Sequence, residues 1–446
     1  MSSIKKLAIR GAFWTIAGYG ASLMLRFGSN LILTRLLEPK LFGFIALVYV
    51  FITGLHLFSD IGIGLSVIQN KRGDEPDFLN TAWTLQVVRG FGLWFCCFLI
   101  AWPVANFYEK PSLIWLIPLV GLNTLISGFN STAIYTLNRH IALRQVAMFE
   151  LGGQIISTGV TILWAWFNPT IWALVVGSLF GTCIQLVWSH LLNSGTPNRF
   201  VWEKTAVDEL FLFGKWIFLS TAIAFLAEKA DRMILGKLFT LEMLGVYGIA
   251  LTLGDLPRSV TLALAGKVIF PAISKIADQP RETIRTKLIK NRQLLLIAFA
   301  IGLTALIACG DIIIKILYDK RYIDAAWMLP LLALGIWPRI LCNTNEASLF
   351  AIGKTQYTAA ANLTRFVWTA VGILLGFYWM GIPGAIVAVT LNDLFYYIVV
   401  NYGLWRERLS CLIQDIQLTG LFLSLLTVVL AGRYWLGFGS PIDGLL

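Results

Sequence analysis

Four arginines lie inside long apolar stretches of the sequence, where an isolated cation is energetically costly. They are Arg26, Arg89, Arg339 and Arg365. Buried arginine stays protonated, so each must either pair with an acidic side chain or bind an anion. The planar guanidinium suits phosphate oxygens, because it can donate two parallel hydrogen bonds. These arginines are therefore the first candidates for a binding site.

Polar side chains accompany the arginines in two stripes at the helical spacing i, i+4 and i+7, which places each stripe on one helix face. The stripes are Asn123 with Ser127 and Asn130, and Arg339 with Asn343 and Glu346. Such a stripe either lines a cavity or forms hydrogen bonds between helices, and the sequence leaves both interpretations open. We add Asn123 and Asn343 to the candidate binding residues.

Three acids, Asp60, Glu150 and Asp393, also lie deep in apolar runs and have no obvious cation within one helical turn. Acidic groups in such positions commonly mark ion pathways and proton relays. We predict that one or more of these three acids binds a coupling ion.

The composition indicates which elements must position these groups. Hydrophobic residues make up 57% of the 446 residues and charged residues 13%, with a mean hydropathy of +0.75. Soluble domains carry about 25% charged residues. The composition therefore excludes a nucleic-acid partner, a disordered chain and an ordinary cytosolic enzyme.

Thirteen apolar segments are long enough for membrane spans, which need about 20 residues each. They are 12–36, 41–68, 81–106, 112–136, 147–168, 170–192, 210–239, 243–270, 292–316, 326–352, 358–379, 382–404 and 414–437. Helices are expected, because open strands cannot satisfy their backbone in lipid. We predict an all-α polytopic membrane protein with a six-helix lobe over 1–195, a cytoplasmic linker over 196–209, a second six-helix lobe over 210–405, and one additional transmembrane helix in 406–446.

Charge and repetition refine this prediction. Lys and Arg outside the spans favour one side by more than two to one, which predicts a cytoplasmic N-terminus. Residues 32–36 resemble 234–238, and 135–139 can be aligned with 350–354, at offsets of 202 and 215. Two matches in order predict duplicated halves in a parallel repeat.

Under these two offsets, oppositely charged residues occupy equivalent positions: Arg26 matches Glu228, and Glu150 matches Arg365. Each of these residues could either meet its counterpart across the repeat axis or find a partner in its own half.

Catalytic and cofactor motifs are absent from the sequence. The six cysteines and three histidines show no metal-ligand spacing, so we predict no metal. No nucleophile–base constellation appears, so we predict no catalytic residues. Without a G-x-x-x-x-G-K-[ST] loop, ATP is not expected as the direct drive, and no cofactor is predicted.

Several short motifs, in order along residues 1–405, resemble one protein family. They are 32–39 with Leu41-Phe42-Gly43, 59–63, 230–237 with 244–247, 270–274, and 351–354. Together they resemble the polysaccharide-transport (Wzx-type) flippases of the multidrug/oligosaccharidyl-lipid/polysaccharide superfamily.

The resemblance implies two six-helix lobes in a V around a central cavity, with extra C-terminal helices. It implies alternating access that moves an undecaprenyl-diphosphate-linked oligosaccharide across the bacterial inner membrane, for assembly of O-antigen, capsule or exopolysaccharide. Membrane lipids, a polysaccharide polymerase and chain-length proteins are the implied partners. The four arginines would then form a cationic cavity for the diphosphate. The thirteen spans predicted here differ from the twelve or fourteen that are common in the family.

Two alternatives remain from the sequence. A multidrug cation exporter of the same superfamily should have a net acidic site, whereas eight cations and seven acids balance within the spans here. A membrane glycan polymerase or ligase usually needs a sizeable outer loop, and the longest outer connection here is about ten residues.

Overall fold

The computed structural model describes residues 2–59, 62–192 and 197–445. Helix is found in each of the thirteen predicted apolar segments, which confirms the all-α membrane class. The chain divides into two compact units, Met1–Ala222 and Ile223–Leu446.

Within the described residues, the first unit contains eight complete helices and the start of a ninth, α9. In chain order these are α1 (Ser2–Leu36), α2 (Pro39–Phe58), α3 (Ile63–Gln69), α4 (Pro76–Tyr108), α5 (Leu113–Gly128), α6 (Ala133–Arg139), α7 (Leu143–Phe167), α8 (Ile171–Leu191) and α9 (Lys204–Leu238). Proline opens α2 and α4, where its missing N–H needs no partner. Helix α4 packs along α5, α7 along α8, and α1 along α7.

Two spans of the first unit are interrupted. Helices α5 and α6 form one apolar path that bends by 61° between Gly128 and Ala133. Helix α2 ends at Phe58 and α3 begins at Ile63, after Gly62 in the left-handed conformation with φ +66°. Glycine adopts this conformation at little cost. Non-helical backbone at membrane depth needs partners in the protein or in a water-filled cavity.

The second unit continues α9 and adds nine helices within the described residues. They are α10 (Leu241–Gly254), α11 (Leu256–Leu264), α12 (Phe270–Ser274), α13 (Arg281–Leu317), α14 (Ala325–Gly335), α15 (Trp337–Ala351), α16 (Gln356–Thr390), α17 (Asn392–Arg406) and α18 (Leu412–Trp435). A π-helical turn, Ala265–Ile269, joins α11 to α12. Helix α13 packs along α14 and α18, and α15 and α16 both pack along α17.

By length and hydropathy, eight helices or helix pairs of the described residues can cross a membrane, or nine with the bent α5–α6 pair. One of the eight is the 51-residue stretch Gln356–Arg406. It reverses direction at Gly381, which has φ +64° and ψ −140°. A Cβ added at Gly384 would lie 2.0 Å from the Gly376 carbonyl oxygen, although residues eight apart in a straight helix are about 12 Å apart. This stretch therefore makes two antiparallel spans, as the sequence predicts.

The connection from α8 to α9 is held against α4. Backbone N–H groups of Arg199, Val201 and Glu203 donate to side-chain oxygens of α4 at 2.9, 3.1 and 3.2 Å. The acceptors are Asn80, Thr84 and Thr81, respectively. Arg72 adds an ion pair to Glu203 at 2.9 Å. Residues 199–203 of the predicted linker thus pack on α4, and residues 204–209 of it are the first residues of α9.

The last helix, α18, is fastened to α13 by two buried ion pairs. Arg292 contacts Asp415 at 2.7 Å near the start of both helices, and Asp311 contacts Arg433 at 2.6 Å near their ends. The two helices therefore run parallel. The two pairs are separated by about 28 Å of helix rise, close to the ~30 Å hydrocarbon core. One pair lies toward each face of the membrane.

Candidate functional site

A cavity of about 370 Å³ lies where the two interrupted spans of the first unit meet α4. We call it the first-unit cavity. Much of its polar wall comes from Gln86, Arg89, Ser127, Asn130, Ser131 and Tyr135. Glycines at positions 64 and 90 also line it. A methyl group on Gly64 would come within 2.7 Å of the Tyr135 ring, so the wall is closely packed there.

The break between α5 and α6 exposes backbone carbonyl groups, and side chains from α4 and α8 bind them. The Gln86 amide donates at 3.0–3.3 Å to the carbonyls of Ser127, Gly128 and Asn130. The ring nitrogens of Trp83 and His190 lie 3.2 and 3.0 Å from the Phe129 carbonyl oxygen. The break is therefore hydrogen-bonded within the protein, which makes it a preformed feature of the span.

Arg89 forms hydrogen bonds at the other break, which lies between α2 and α3. Its guanidinium donates to the His56 carbonyl at 2.6 Å and to the Ser59 hydroxyl at 2.9 Å. This predicted binding residue thus lies on the cavity wall and also holds the end of α2. Asp60, a predicted ion-binding residue of the same break, lies outside the described residues.

The second unit contains a set of interior charges, which we call the second-unit network. Its members are Glu228, Asp255, Arg258, Arg339, Arg365 and Asp393. Arg258 joins α9 to α11, with Glu228 at 2.8 Å and Asp255 at 3.4 Å. Asp393 interacts electrostatically with all three arginines of the network.

Arg365 forms an ion pair with Asp393 at 3.2 Å, and both side chains are at least 90% buried. The pair joins α16 to α17. Asp393 has no cation within one helical turn along the sequence, and the fold brings Arg365 to it from 28 residues away. Glu228 and Arg365 both have partners within their own unit.

Among the side chains that the structure describes, Arg339 is the cation of the network with no carboxylate within 4.0 Å. Its guanidinium carbon lies 3.8 Å above the centre of the Tyr396 ring, which is a cation–π contact. Within the described residues its Nε and Nη1 atoms have no hydrogen-bond partner, and only 6% of the residue is exposed. One turn along α15, both polar atoms of the Asn343 amide are buried without partners in that same part of the chain. Glu346 accepts a hydrogen bond from the Tyr396 hydroxyl at 2.7 Å.

Candidate metal ligands were compared across the described residues. Over residues 2–59, 62–192 and 197–445, no cluster of three or more His, Cys, Asp or Glu side chains could hold a metal ion.

A family profile described as "Polysaccharide biosynthesis protein" matches residues 32–327, about two thirds of the chain. The chain belongs to this polysaccharide biosynthesis protein family. The match begins near the end of α1, covers the rest of the first unit, and extends through α13 of the second unit.

The curated relatives have low sequence identity to this chain, but the matches extend over most of its length. The teichuronic acid biosynthesis protein TuaB of Bacillus subtilis (strain 168) is 23% identical over 71% of this chain and 64% of the relative, so the match spans just under two thirds of its length. The lipopolysaccharide biosynthesis protein WzxC of Escherichia coli (strain K12) is 20% identical over 89% of this chain and 80% of the relative.

Solved structures share the fold. The lipid II flippase MurJ in an inward closed conformation superposes with a TM-score of 0.71 at 14% identity, covering 93% of this chain and 92% of that chain. An inward-facing multidrug resistance MATE family transporter of the MOP superfamily gives a TM-score of 0.66 at 12% identity, covering 90% and 95%. The fold that the motif resemblance implies is therefore shared with these two structures.

The remaining predicted site residues of this family member differ in their surroundings. Asn123 accepts a hydrogen bond from Thr182 at 2.7 Å and donates to Ser178 at 3.2 Å, so it links α5 to α8. It does not line the first-unit cavity, whereas Ser127 and Asn130 of the same stripe do. Both interpretations of that stripe therefore apply, to different residues.

Arg26 on α1 and Glu150 on α7 are exposed on the first unit. Among the described side chains, neither has an ion-pair partner within 4.0 Å. The structure therefore does not bring them together with the first-unit cavity or with each other.

Sequence reasoning missed two features of the site. Gln86 was not singled out, although an amide in the middle of a 33-residue apolar helix is a signal of an internal hydrogen bond. The i, i+3 spacing of Asp255 and Arg258 predicts a local pair, and that contact exists, but the shorter contact of Arg258 is to Glu228 on α9, which the spacing does not reveal.

Proposed function

We propose that this protein is a flippase that moves an undecaprenyl-diphosphate-linked oligosaccharide across the bacterial inner membrane by alternating access. Family membership supports this proposal, as does the fold shared with a lipid II flippase. The relatives named for teichuronic acid and lipopolysaccharide biosynthesis point to the same class of cargo. A polymerase and chain-length proteins would act on the glycan after it has crossed.

The observation that carries the proposal is Arg339. A buried cation without hydrogen-bonded acceptors on two of its nitrogens is destabilising where it stands. In a protein that alternates between conformations, an anionic headgroup can offset this cost by accepting hydrogen bonds from the guanidinium when the site opens. We propose that Arg339 and Asn343 bind the diphosphate, and that Arg26, Arg89, Arg365 and Asn123 contribute during the cycle.

Ion coupling is the second part of the proposal. Asp393 supports it best, because it is buried and its charge is balanced by Arg365. Protonation of Asp393 would free Arg365 for an anion, so ion binding and headgroup binding would be linked through one pair. Glu150, which is exposed on α7, and Asp60 remain candidates from the sequence. The proposed orientation has the N-terminus in the cytoplasm.

A reconstituted flipping assay tests this function. Purified protein in liposomes receives undecaprenyl-diphosphate-linked oligosaccharide, and sugar that reaches the opposite leaflet is measured with an impermeant lectin, with and without a proton or sodium gradient. We expect Arg339→Ala to fold normally and to lose transport, and Arg339→Lys to recover part of it. Arg365→Ala should strand Asp393 and destabilise the protein by about 3–5 kcal/mol. Asp393→Asn should transport without responding to the gradient.

The matched control is Arg321→Ala, an exposed arginine outside the spans that pairs with Asp319 at 2.9 Å. It should transport like the natural protein. Normal transport by the alanine variants of all four proposed arginines would refute the cationic site. Movement of organic cations without movement of the lipid-linked glycan would identify an exporter instead.

A further inference from the structure

Tyr396 of α17 contacts both charged groups of the polar stripe on α15. The face of its ring lies 3.8 Å from the guanidinium carbon of Arg339, and its hydroxyl donates to the Glu346 carboxylate at 2.7 Å. Tyr396 is fully buried, and Arg339 and Glu346 are 6% and 7% exposed. Because protein interiors are close-packed, both contacts are fixed by the packing of α15 against α17.

These contacts keep Arg339 and Glu346 from pairing with each other. The two residues lie about two turns apart on one face of α15, yet within the described part of the chain no carboxylate comes within 4.0 Å of Arg339. Glu346 binds the phenol instead. The other arginines of the second-unit network, Arg258 and Arg365, each form an ion pair with a carboxylate. Arg339 is stabilised by a ring where they are stabilised by acids.

A ring contact and an ion pair have different consequences for a guanidinium. A cation–π contact acts through the ring face and is stronger in a desolvated site. It leaves the N–H donors, which lie in the guanidinium plane, without a bound acceptor. An ion pair with a carboxylate occupies some of these donors. The ring of Tyr396 therefore supports the charge of Arg339 and leaves its donors available to an anion when the site opens.

We propose that Tyr396 is a positioning residue for the proposed diphosphate site. Its ring holds Arg339 in place, and its hydroxyl holds Glu346 away from Arg339. This inference rests on the proposed flippase function, and it adds one requirement to the site: the cation must be supported without being neutralised by an acid of the protein.

A titration of the protein in lipid nanodiscs with undecaprenyl diphosphate tests the role of the ring. Tyr396→Leu removes the cation–π contact and should lower the affinity about tenfold. In the Arg339→Ala background the same substitution should have little further effect, because the contact is already absent. Equal losses in both backgrounds would mean a merely structural role and would overturn the inference.

The role of the hydroxyl group is tested with two conservative variants, which also serve if Tyr396→Leu does not fold. Tyr396→Phe keeps the ring but frees the Glu346 carboxylate to pair with Arg339, so the affinity should fall about threefold. Adding Glu346→Gln removes the competing charge and should restore the affinity of the natural protein. Full affinity in Tyr396→Phe, or no recovery in the double variant, would contradict the proposal.

Tyr397→Leu is the matched control. Tyr397 is the next residue of α17, and its hydroxyl donates to the Asp415 carboxylate at 3.0 Å, whereas Arg339 stacks on Tyr396. The control should lower the melting temperature and leave the affinity for undecaprenyl diphosphate unchanged. A loss of affinity as large as that of Tyr396→Leu would mean that the packing of α17 sets the affinity, which overturns the inference.

The outcomes separate this inference from the proposed function. Unchanged affinity in Tyr396→Leu, together with a loss in Arg339→Ala, would overturn the positioning role and leave the proposed function standing. Unchanged affinity in Arg339→Ala would reject the diphosphate site at Arg339 and this inference with it. The flipping assay measures transport separately, so transport of the lipid-linked glycan by the natural protein would still support a flippase in that case.

Discussion

The two units handle polar groups at membrane depth in different ways. The first unit interrupts two spans and lines the resulting cavity with mostly uncharged side chains, held by Gln86 and Arg89. In the second unit, acids and arginines pair with each other, as Arg258 does with Glu228 and Arg365 does with Asp393. Both arrangements avoid exposing bare polar groups to lipid. The first unit therefore stabilises interrupted backbone with side-chain hydrogen bonds, whereas the second stabilises buried charges by pairing them.

The largest expected effect would come from breaking a buried pair of the second unit. Arg292→Met removes the partner of Asp415, and both side chains of this pair are 1% exposed. The stranded carboxylate should destabilise the protein by about 3–5 kcal/mol. Chemical denaturation of the purified protein, together with its abundance in membranes, measures this loss.

The control for this change removes both charges. Arg292→Met combined with Asp415→Leu leaves no uncompensated charge and should recover most of the stability. A single variant as stable as the natural protein would show that pairing does not hold the second unit together.

A smaller effect is expected at the helix crossing that supports the first-unit cavity. A methyl group on Gly90 would lie 3.1 Å from the Thr124 carbonyl oxygen and 3.3 Å from the Gly128 Cα atom, both of which are backbone atoms. Gly90→Ala should therefore separate α4 from α5 and cost about 1–3 kcal/mol of stability. The melting temperature of the purified protein measures this loss.

Gly92→Ala on the same helix is the control, because a methyl group there meets nothing within 4 Å. It should be neutral or should stabilise the protein by up to about 1 kcal/mol through helix propensity. Equal effects of the two substitutions would argue against a tight crossing at Gly90.

The smallest expected effect concerns pH and the docked connection before α9. Hydrogen bonds from Thr205 and Arg72 lower the pKa of the Glu203 carboxyl below its usual range. Because the pKa of Glu203 is lower in the folded state, its carboxylate stabilises the docked connection at pH values above its unfolded pKa of about 4.3. This stabilisation is lost as the pH falls through the folded-state pKa. Hydrogen exchange of the Arg199, Val201 and Glu203 amides, corrected for intrinsic rates, should show slightly weaker protection at low pH.

Glu203→Gln provides the comparison at neutral pH. The variant should show the weaker protection throughout, and its difference from the natural protein should disappear as the pH falls. A difference that persists at low pH would mean that the carboxylate charge is not what holds the connection.

Much of the fold can be predicted from the sequence, because a membrane span is recognisable from its length and hydropathy. The thirteen apolar segments correspond to helices, and the reversal at Gly381 falls between two of them. The sequence also identifies Arg339, Arg365 and Asp393 as interior charges, since charged residues are rare inside apolar runs.

Partners could not be predicted, because they depend on which helices pack together. Arg292 begins the predicted apolar segment 292–316, and nothing in the sequence indicates that it is only 2% exposed and pairs with a residue 123 positions later. The sequence also could not show that Asn123 and Asn130, in the same stripe, have different surroundings. Asn123 faces α8, whereas Asn130 follows a break in the span that hydropathy does not reveal.

The parallel course of α13 and α18 has a practical meaning for placing reporters in this protein. Because the ion pairs fix both helices in the same direction, residues after Trp435 emerge on the side opposite to Arg281, whichever way the whole chain is inserted. An enzymatic or fluorescent reporter fused beyond α18 and one inserted just before α13 must therefore report different compartments. With the proposed cytoplasmic N-terminus, a tag beyond α18 would emerge outside the cell's cytoplasm, so it should be a type that folds and functions in an oxidising compartment.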